Sequence, residues 1–127
     1  MHWLLKTEPA DYSYRDLLRD GTTSWSGVKN ATAVKNILAM KKGDLVVVYH
    51  TGNEKAAVGT AKVVSAPRAL PEERSAVVEI CAGKTLPAPV PLAALKSNPL
   101  FSGSPLLTIG RLSVVPLTPE QFAVLKT

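Results

Sequence analysis

Apolar runs separated by polar turn residues predict five β-strands, at residues 2–7, 44–51, 56–67, 75–83 and 111–117. The run at residues 44–51 is apolar almost throughout and rich in valine, which is typical of a central strand buried on both faces. In the first run, alternation sends Lys6 to one face of the strand and Thr7 to the other. Pro116 either ends the last strand or places it at an edge of the sheet.

Helical spacing and capping residues predict a short helix at residues 13–21 and a longer one that begins after Asn30. Ser13 is a suitable N-cap for the first helix, and Asp16 can complete a capping box with it. Gly43 suits the end of the second helix, just after two lysines that suit its negative end. That helix is expected to carry one apolar stripe, formed by Val34, Ile37 and Leu38.

Two further helices are predicted at residues 90–98 and 118–127. The second of these has Thr118 as its cap, followed three residues later by Gln121, which is the spacing of a capping box. The proline-rich residues 86–91 and the polar residues 65–75 are interpreted as loops.

This order of elements favours an α+β fold with a curved or closed sheet, because the regular alternation of a parallel α/β protein is absent. The 127 residues, of which 46% are hydrophobic and 20% charged, fit a single domain spanning residues 1–127. No apolar run approaches the roughly 18 residues of a membrane span. Lys6 and Glu8 come too early for a signal peptide, so we expect a cytoplasmic protein, or a nuclear one in a eukaryote.

The charge balance favours an anionic partner such as nucleic acid. Lysine and arginine number 15 against 10 acidic residues, which gives a formal net charge of +5 and a pI near 9.5. Only Lys41 and Lys42 are adjacent, so the sequence has no basic tail or basic helical stripe. Any nucleic-acid site is therefore expected to be a shaped pocket assisted by general positive charge.

The common catalytic signatures are missing from the chain. There is no nucleophile elbow, phosphate-binding loop, dinucleotide fingerprint or zinc-protease motif. Cys81 is the only cysteine and lies in a predicted strand, where a buried inert thiol is the expected state. With two histidines and one cysteine, no metal and no cofactor are expected.

Polar side chains cluster where the first predicted strand ends. Lys6, Thr7 and Glu8 offer an ammonium group, a hydroxyl and a carboxylate, which are the groups needed to bind the polar edge of a ring. The same spacing is equally consistent with a surface ion pair between Lys6 and Glu8, worth about 0–1 kcal/mol. Arg111, beside Gly110, is either a solvated surface group or a donor for a phosphate or a carbonyl edge.

A second polar group follows the most buried predicted strand. Tyr49, His50 and Thr51 stand at its end, where they could border a ligand. A half-buried packing role for Tyr49 and a hydrogen-bonded structural role for His50 are the alternative interpretation.

The connection from Ser24 to Asn30 combines features that a core tryptophan does not need. Trp25 stands between Ser24 and Ser26, and Gly27 permits a close backbone approach or an unusual φ angle. Asn30 begins a helix, whose free N–H groups and positive end favour an electron-rich group. The segment therefore indicates a stacking surface with donors beside it, suited to a planar heteroaromatic ring.

Motifs distributed over nearly the whole chain resemble the EVE domain family. They include WSGVKNATA at residues 25–33, and the most specific are WLLKTEP at 3–9, GDLVVVYH at 43–50 and RLSV at 111–114. The chain differs from the pattern common in that family at Ser26 and Lys29, where aspartate and arginine are usual.

The resemblance implies a PUA-like fold, a small mixed β-barrel of about five to six strands flanked by short helices. EVE domains are similar to YTH domains, which hold N6-methyladenine of RNA in an aromatic cage, and are associated with modified cytosines in DNA. By motif, the implied base-binding residues are Trp3, Lys6, Thr7, Glu8, Trp25, Ser26, Gly27, Val28, Asn30, Tyr49, His50, Thr51, Arg111, Leu112 and Ser113.

The leading interpretation is a monomeric, non-catalytic module that binds DNA or RNA through a modified base, either a modified cytosine or a methylated adenine. Trp25 would stack on the base, and Asn30, Thr7 and Thr51 would contact the ring edge. Lys6 and Arg111 would attract the base or hold backbone phosphate.

Two alternatives remain open at the level of sequence. An ASCH-like amidohydrolase acting on a modified nucleoside would use Lys6, Thr7 and Glu8, although alternation separates Thr7 from the other two. A small-molecule or protein-interaction module without a nucleic-acid role is the third interpretation, and its binding would be insensitive to salt.

Overall fold

The computed structural model of the chain describes residues 1–126 and is built around one mixed sheet. Short helices cover the sheet, and two 3₁₀ turns lie at Pro71–Glu73 and Pro99–Phe101. The strands are β1 (His2–Thr7), β2 (Thr22–Trp25), β3 (Leu45–His50), β4 (Ala56–Val63), β5 (Arg68–Leu70), β6 (Ser75–Pro91) and β7 (Val114–Leu117). The helices are α1 (Tyr14–Asp20), α2 (Ala31–Ala39), α3 (Leu92–Lys96), α4 (Pro105–Thr108) and α5 (Pro119–Lys126).

The strand order is β2-β6-β4-β3-β1-β7, with β5 paired to a second stretch of β6. β1 and β3 run parallel, and the other pairs are antiparallel. The valine-rich β3 is thus central, and its residues from Val46 to His50 are all buried, as the sequence predicts. The parallel register places Lys6 beside Tyr49 and Thr7 beside His50.

The expected α+β, PUA-like class is confirmed, but the sheet is not closed as a barrel. Within residues 1–126, no pairing joins the end strands β2 and β7. Helix α2 instead packs against both β6 and β7, and so bridges the end strand β7 and the strand next to the other end of the sheet. The side chain of Asn36 fixes this arrangement by donating from Nδ2 to the Val114 carbonyl oxygen at 2.8 Å.

Strand β6 corrects the interpretation of residues 86–91 as a loop. The strand continues to Pro91 because Val90 and Pro91 pair with Ala57 and Ala56 of β4. Strand β2 pairs only with residues 78–81 of β6, so the proline-containing stretch is paired on one side, where a missing N–H is tolerated. Pairing with β6 also makes strands of β2 and β5, both of which the sequence pattern placed in connections.

The predicted helix caps are present. Ser13 Oγ accepts the Asp16 amide at 3.1 Å, and the Asp16 carboxylate accepts the Ser13 amide at 2.9 Å, which closes the expected capping box. The same reciprocal pair joins Thr118 and Gln121 ahead of α5.

The apolar stripe predicted for α2 is wrong at Leu38, and the helix ends earlier than expected. Leu38 is 42% exposed, whereas Ala33 and Ile37 are fully buried and Met40 packs beneath the helix end. The helix stops at Ala39 rather than near Gly43, because Asp44 holds the next turn through the Lys41 amide, at 2.9 Å from Asp44 Oδ2.

Within residues 1–126, no helix is both long and apolar enough to cross a membrane. The same residues contain no group of three His, Cys, Asp or Glu side chains placed to hold a metal ion.

Candidate ligand-binding cavity

A cavity of about 590 Å³ lies where β1 and β2 end, beside the start of α2. That volume is within the usual range for small-molecule sites. Ten of the fifteen predicted site residues border it: Lys6, Thr7, Glu8, Trp25, Ser26, Gly27, Val28, Asn30, Arg111 and Ser113.

Trp25 stands at the end of β2 and forms part of the cavity wall. Its indole is only 9% exposed, because it belongs to the main hydrophobic core, and its backbone is paired with Val78 of β6. The ring of Tyr12 meets it edge-on, with 6.2 Å between centroids and an interplanar angle of 86°. The cavity is therefore bordered by two aromatic side chains in a fixed, nearly perpendicular arrangement.

Tyr12 is held by a polar network that the sequence did not predict. Its hydroxyl donates to Asp20 Oδ2 at 2.8 Å, and Arg19 donates to the same carboxylate through Nε at 3.0 Å. Partial burial raises the pKa of Tyr12, and the neighbouring Asp20 carboxylate raises it further, so the phenol stays protonated at neutral pH. The side chain is thereby fixed as a neutral aromatic wall.

The loop after Trp25 and the start of α2 form a second side of the cavity. Gly27 has a φ of 80°, in the left-handed region that glycine adopts without strain. The Val28 carbonyl accepts a hydrogen bond from the buried Ser75 hydroxyl at 2.5 Å, which ties the loop to β6. Asn30 caps α2, since its Oδ1 accepts the Ala33 amide at 3.1 Å. What Asn30 can offer a ligand is therefore its amide N–H group.

The end of β1 supplies the third side. Lys6 Nζ donates to the Gly110 carbonyl at 3.1 Å, and partial burial lowers the pKa of Lys6. The Thr7 hydroxyl donates to the Tyr12 carbonyl at 2.7 Å, so only its lone pairs are free to face a ligand. The Glu8 carboxylate accepts from Thr51 Oγ1 at 3.4 Å. Each of Lys6, Thr7 and Glu8 is therefore bonded to another residue rather than to the other two.

Two predicted site residues lie in the core instead of the cavity. Trp3 is 2% exposed, and its indole Nε1 donates to Asp44 Oδ2 at 2.9 Å. Leu112 is also 2% exposed. Trp3 shares its face of β1 with the buried Leu5. Leu112 lies before β7, which begins at Val114 rather than at the predicted residue 111, and its amide donates to the Ile109 carbonyl at 3.0 Å.

Tyr49 and His50 at the end of β3, and Thr51 just after it, do not border this cavity either. Tyr49 and Thr51 border a second, adjacent cavity, described below. His50 has the structural role that was the alternative interpretation: Nε2 accepts the Tyr14 amide at 2.9 Å, and Nδ1 lies 2.7 Å from Glu54 Oε1. Because Nε2 accepts, the ring proton is assigned to Nδ1, which donates to Glu54.

Five residues that border the cavity were not predicted: Asp11, Tyr12, Thr23, Ser24 and Lys29. Thr23 lies two positions before Trp25, so recognising β2 as a strand would have placed both side chains on one face. Lys29 donates from Nζ to the Glu73 carbonyl at 3.2 Å. The cavity therefore carries cations from Lys6, Lys29 and Arg111 together with the carboxylates of Glu8 and Asp11.

Fold and cavity together define a PUA-like domain with a small-ligand pocket at the end of its sheet. The family model described as "EVE domain" matches residues 1–127, and the chain belongs to the EVE domain family.

Curated and solved relatives agree with this assignment. The chain is 30% identical to human thymocyte nuclear protein 1 over 158 residues, which covers 95% of this chain and 70% of that protein. The chicken protein of the same name is 29% identical, with 65% of its length covered.

Two solved structures extend the likeness to the coordinates. A protein from Agrobacterium tumefaciens superposes with a TM-score of 0.90 at 33% identity, covering 98% of this chain and 89% of that one. Human THYN1 protein, solved in complex with 5-methylcytosine containing DNA, gives a TM-score of 0.84 at 28% identity, covering 97% and 94%. An ASCH protein from Zymomonas mobilis is a distant match, with a TM-score of 0.60 at 11% identity, and shares the fold alone.

Proposed function

We propose that this chain is a non-catalytic nucleic-acid-binding module that takes one modified base into the Trp25 cavity, a modified cytosine in preference to a methylated adenine. The observation that supports this most directly is the cavity itself, bordered by an indole in a fold closely similar to a protein solved with 5-methylcytosine DNA. Single-stranded or flipped DNA is the proposed form of the ligand, because a paired base cannot enter a pocket of this kind.

The roles that we propose differ in part from those expected from the sequence. Trp25 and Tyr12 provide the aromatic surfaces, and Asn30 provides an N–H donor at the ring edge. Glu8 and Asp11 are carboxylates able to accept from an exocyclic amino group, which cytosine and adenine both carry. Thr51, given an edge-contacting role from the sequence, lies outside this cavity.

The energy balance predicts modest selectivity. Stacking on an aromatic side chain contributes about 1–3 kcal/mol per base, and extruding a base from a duplex costs a few kcal/mol. Affinity must therefore come from edge hydrogen bonds and from interactions with phosphate. One well-buried methyl group is worth about 0.8 kcal/mol, or about fourfold in affinity. We expect a small preference for the methylated base, superimposed on salt-dependent binding to the strand.

Tryptophan fluorescence provides the test, because Trp25 borders the cavity whereas Trp3 is buried and bonded to Asp44. Matched single-stranded oligonucleotides with cytosine or 5-methylcytosine should quench the signal of the wild-type chain at low salt. Because the variants lack the Trp25 signal, their binding is followed by the fluorescence anisotropy of a dye-labelled oligonucleotide, and Trp25→Phe should weaken binding less than Trp25→Ala. The alanine variant should lose about 1–3 kcal/mol of binding free energy. A melting curve for each variant separates this loss from unfolding. Failure of every oligonucleotide to bind at low salt would contradict the proposal.

The absence of catalysis is also part of the proposal. In an amidohydrolase, Lys6, Thr7 and Glu8 would act on one bond, yet each is hydrogen-bonded elsewhere. Mass spectrometry after long incubation with N-acylated cytidines should recover them unchanged. Release of the acyl group by the wild-type chain but not by Lys6→Ala would establish the ASCH-like alternative instead. We also propose that the module acts as a monomer, which light scattering on the purified chain checks.

A further inference from the structure

A second cavity, of about 320 Å³, lies on the other side of Lys6. Lys6 borders both cavities, and the chain passes from Gly110 on the second to Arg111 on the first. The Lys6 ammonium group is bonded to the Gly110 carbonyl at 3.1 Å, so the wall between the cavities is held by that hydrogen bond. A strand that places one nucleotide in the first cavity reaches the second by crossing this wall.

The charged side chains that line the second cavity all belong to lysines among the described residues. Lys6, Lys55 and Lys96 border it, and no carboxylate from the described part of the chain lines it. Two carboxylates lie near it without lining it: Glu54 is 2.7 Å from His50 Nδ1, and Glu8 accepts from Thr51 at 3.4 Å. Among residues 1–126, Lys55 and Lys96 take part in no salt bridge. Like charges that line one cavity repel one another, and an anion bound between them would relieve that repulsion.

The backbone that carries Lys55 is fixed in an uncommon conformation. Lys55 has a φ of 48°, in the left-handed region that residues with a side chain rarely adopt. Its carbonyl accepts the Leu92 amide at 2.8 Å, which joins it to the start of α3. Lys96 lies at the other end of that short helix. The two lysines are thus presented from one anchored unit.

Apolar side chains also line the second cavity, which distinguishes it from a site for a bare ion. They are Tyr49, Leu92, Leu106 and Leu107, and Lys6 Nζ lies 5.9 Å from the Tyr49 ring centroid. A lining of lysines and apolar side chains suits a phosphate ester with its sugar attached.

We propose that this Lys6–Lys55–Lys96 cavity holds the phosphodiester group next to the base that occupies the Trp25 cavity. The inference rests on the proposed function and extends it, since it places the neighbouring phosphate on the opposite side of Lys6 from the bound base. Phosphate binding of this kind carries affinity without base preference.

The test compares two double variants that remove the same charge. Lys55→Gln/Lys96→Gln empties the second cavity of two cations, and Lys41→Gln/Lys42→Gln removes two exposed lysines that border neither cavity. Affinity for a short single-stranded 5-methylcytosine oligonucleotide should fall about tenfold in the first variant and much less in the second. The slope of log K against log salt should become shallower by about 0.7 for each phosphate that the variant no longer neutralises. Replacing the phosphate next to the modified base with a neutral methylphosphonate should lower the affinity of the wild-type protein for the oligonucleotide. It should leave the affinity of Lys55→Gln/Lys96→Gln unchanged.

Equal losses of affinity in the two double variants would overturn the inference, because general charge would then explain them. Competition by inorganic phosphate without any methylphosphonate effect would also overturn it, in favour of a site for free phosphate. If Trp25→Ala abolishes binding while the double variants match, the proposed function stands and this inference fails. If Trp25→Ala has no effect while Lys55→Gln/Lys96→Gln still weakens binding, the second cavity is supported and base capture in the first is not.

Discussion

Trp25 shows how a single residue can belong to the core and to a site together. Trp25 belongs to the hydrophobic cluster and is only 9% exposed, and it also borders a cavity shared with Tyr12. A surface held this rigidly loses little conformational entropy when a base stacks on it. The same rigidity means that substitutions at Trp25 affect both stability and binding, so each must be measured.

At Asn30, the effect of a substitution on folding stability can be separated from its effect on ligand binding. Its Oδ1 caps α2 through the Ala33 amide, and its N–H group is the donor available to a ligand. Asn30→Ala should cost about 1 kcal/mol of folding stability and also weaken binding. Asn30→Asp keeps the capping oxygen but replaces the donor with an acceptor, so the unfolding free energy should be nearly unchanged while affinity falls. Urea unfolding and oligonucleotide titration on both variants check this, and a full-affinity aspartate variant would remove Asn30 from the site.

At the scale of elements, the parallel pairing of β1 and β3 places the polar carboxyl ends of both strands at the same end of the sheet. β6 then pairs with β2, β4 and β5 along its length, with register shifts opposite Gly59 that increase the local twist. Helix α1 packs on this stretch through Tyr14, whose hydroxyl donates to the Thr60 carbonyl at 2.7 Å. The cavity is therefore positioned by interactions distant from it.

Gly59 tests that arrangement. A Cβ at this position would overlap the buried Tyr14 ring, so Gly59→Ala must displace the ring and break its bond to Thr60. We expect a loss of about 1–3 kcal/mol of unfolding free energy. Gly110→Ala is the matched control, because a Cβ there meets nothing within 4 Å. Equal melting temperatures for Gly59→Ala and Gly110→Ala would show that the packing of Tyr14 on Gly59 contributes nothing to stability.

Asp44 links β1 to the turn before β3 and makes stability depend on pH. Although burial acts to raise it, the pKa of Asp44 is lowered because Trp3 and the Lys41 amide donate to the carboxylate. A lowered carboxyl pKa stabilises the fold above the unfolded value, near 4, and this stabilisation is lost as the pH falls through the folded pKa. Asp44→Asn should therefore be less stable at pH 7 by about 1 kcal/mol or more.

The difference between wild type and Asp44→Asn should shrink below about pH 4, because protonation removes the same interaction from the wild-type chain. Urea unfolding at several pH values measures it, with the exposed Glu79→Gln as the control. A difference that stays constant down to low pH would assign the effect to packing rather than to charge.

At the scale of the whole molecule, the net charge of +5 is spread over the surface, and the local fields differ from the average. The Trp25 cavity mixes cations with the carboxylates of Glu8 and Asp11, whereas the described lining of the Lys6–Lys55–Lys96 cavity has cations alone. This division suits a ligand with a polar ring at one end and a phosphate at the other.

Arg111, exposed at the rim of the Trp25 cavity, should act through phosphate. Arg111→Gln is expected to weaken binding of methylated and unmethylated oligonucleotides by the same factor and to reduce the salt slope by about 0.7. Arg15→Gln, exposed on α1 and outside the lining of both cavities, should change neither. A change in the ratio of the two affinities would show that Arg111 contacts the base instead.

The amino-acid sequence by itself determined the features that depend on neighbouring residues: the buried β3, the capping boxes at Ser13 and Thr118, and the cap at Asn30. The resemblance of its motifs to the EVE domain family also implied ten residues that border one cavity. These features are local because turns, caps and alternation are set by residues a few positions apart.

Only the tertiary structure decided which elements become partners. Because β6 pairs with β4, it continues through the proline-rich residues as a strand. Because β2 pairs with β6, it is a strand, and alternation places Thr23 and Trp25 on one of its faces. The path of the chain placed Tyr49 and Thr51 beyond Lys6, in a different cavity from Trp25. Such outcomes depend on interactions between residues far apart in the chain, whose geometry no local pattern records.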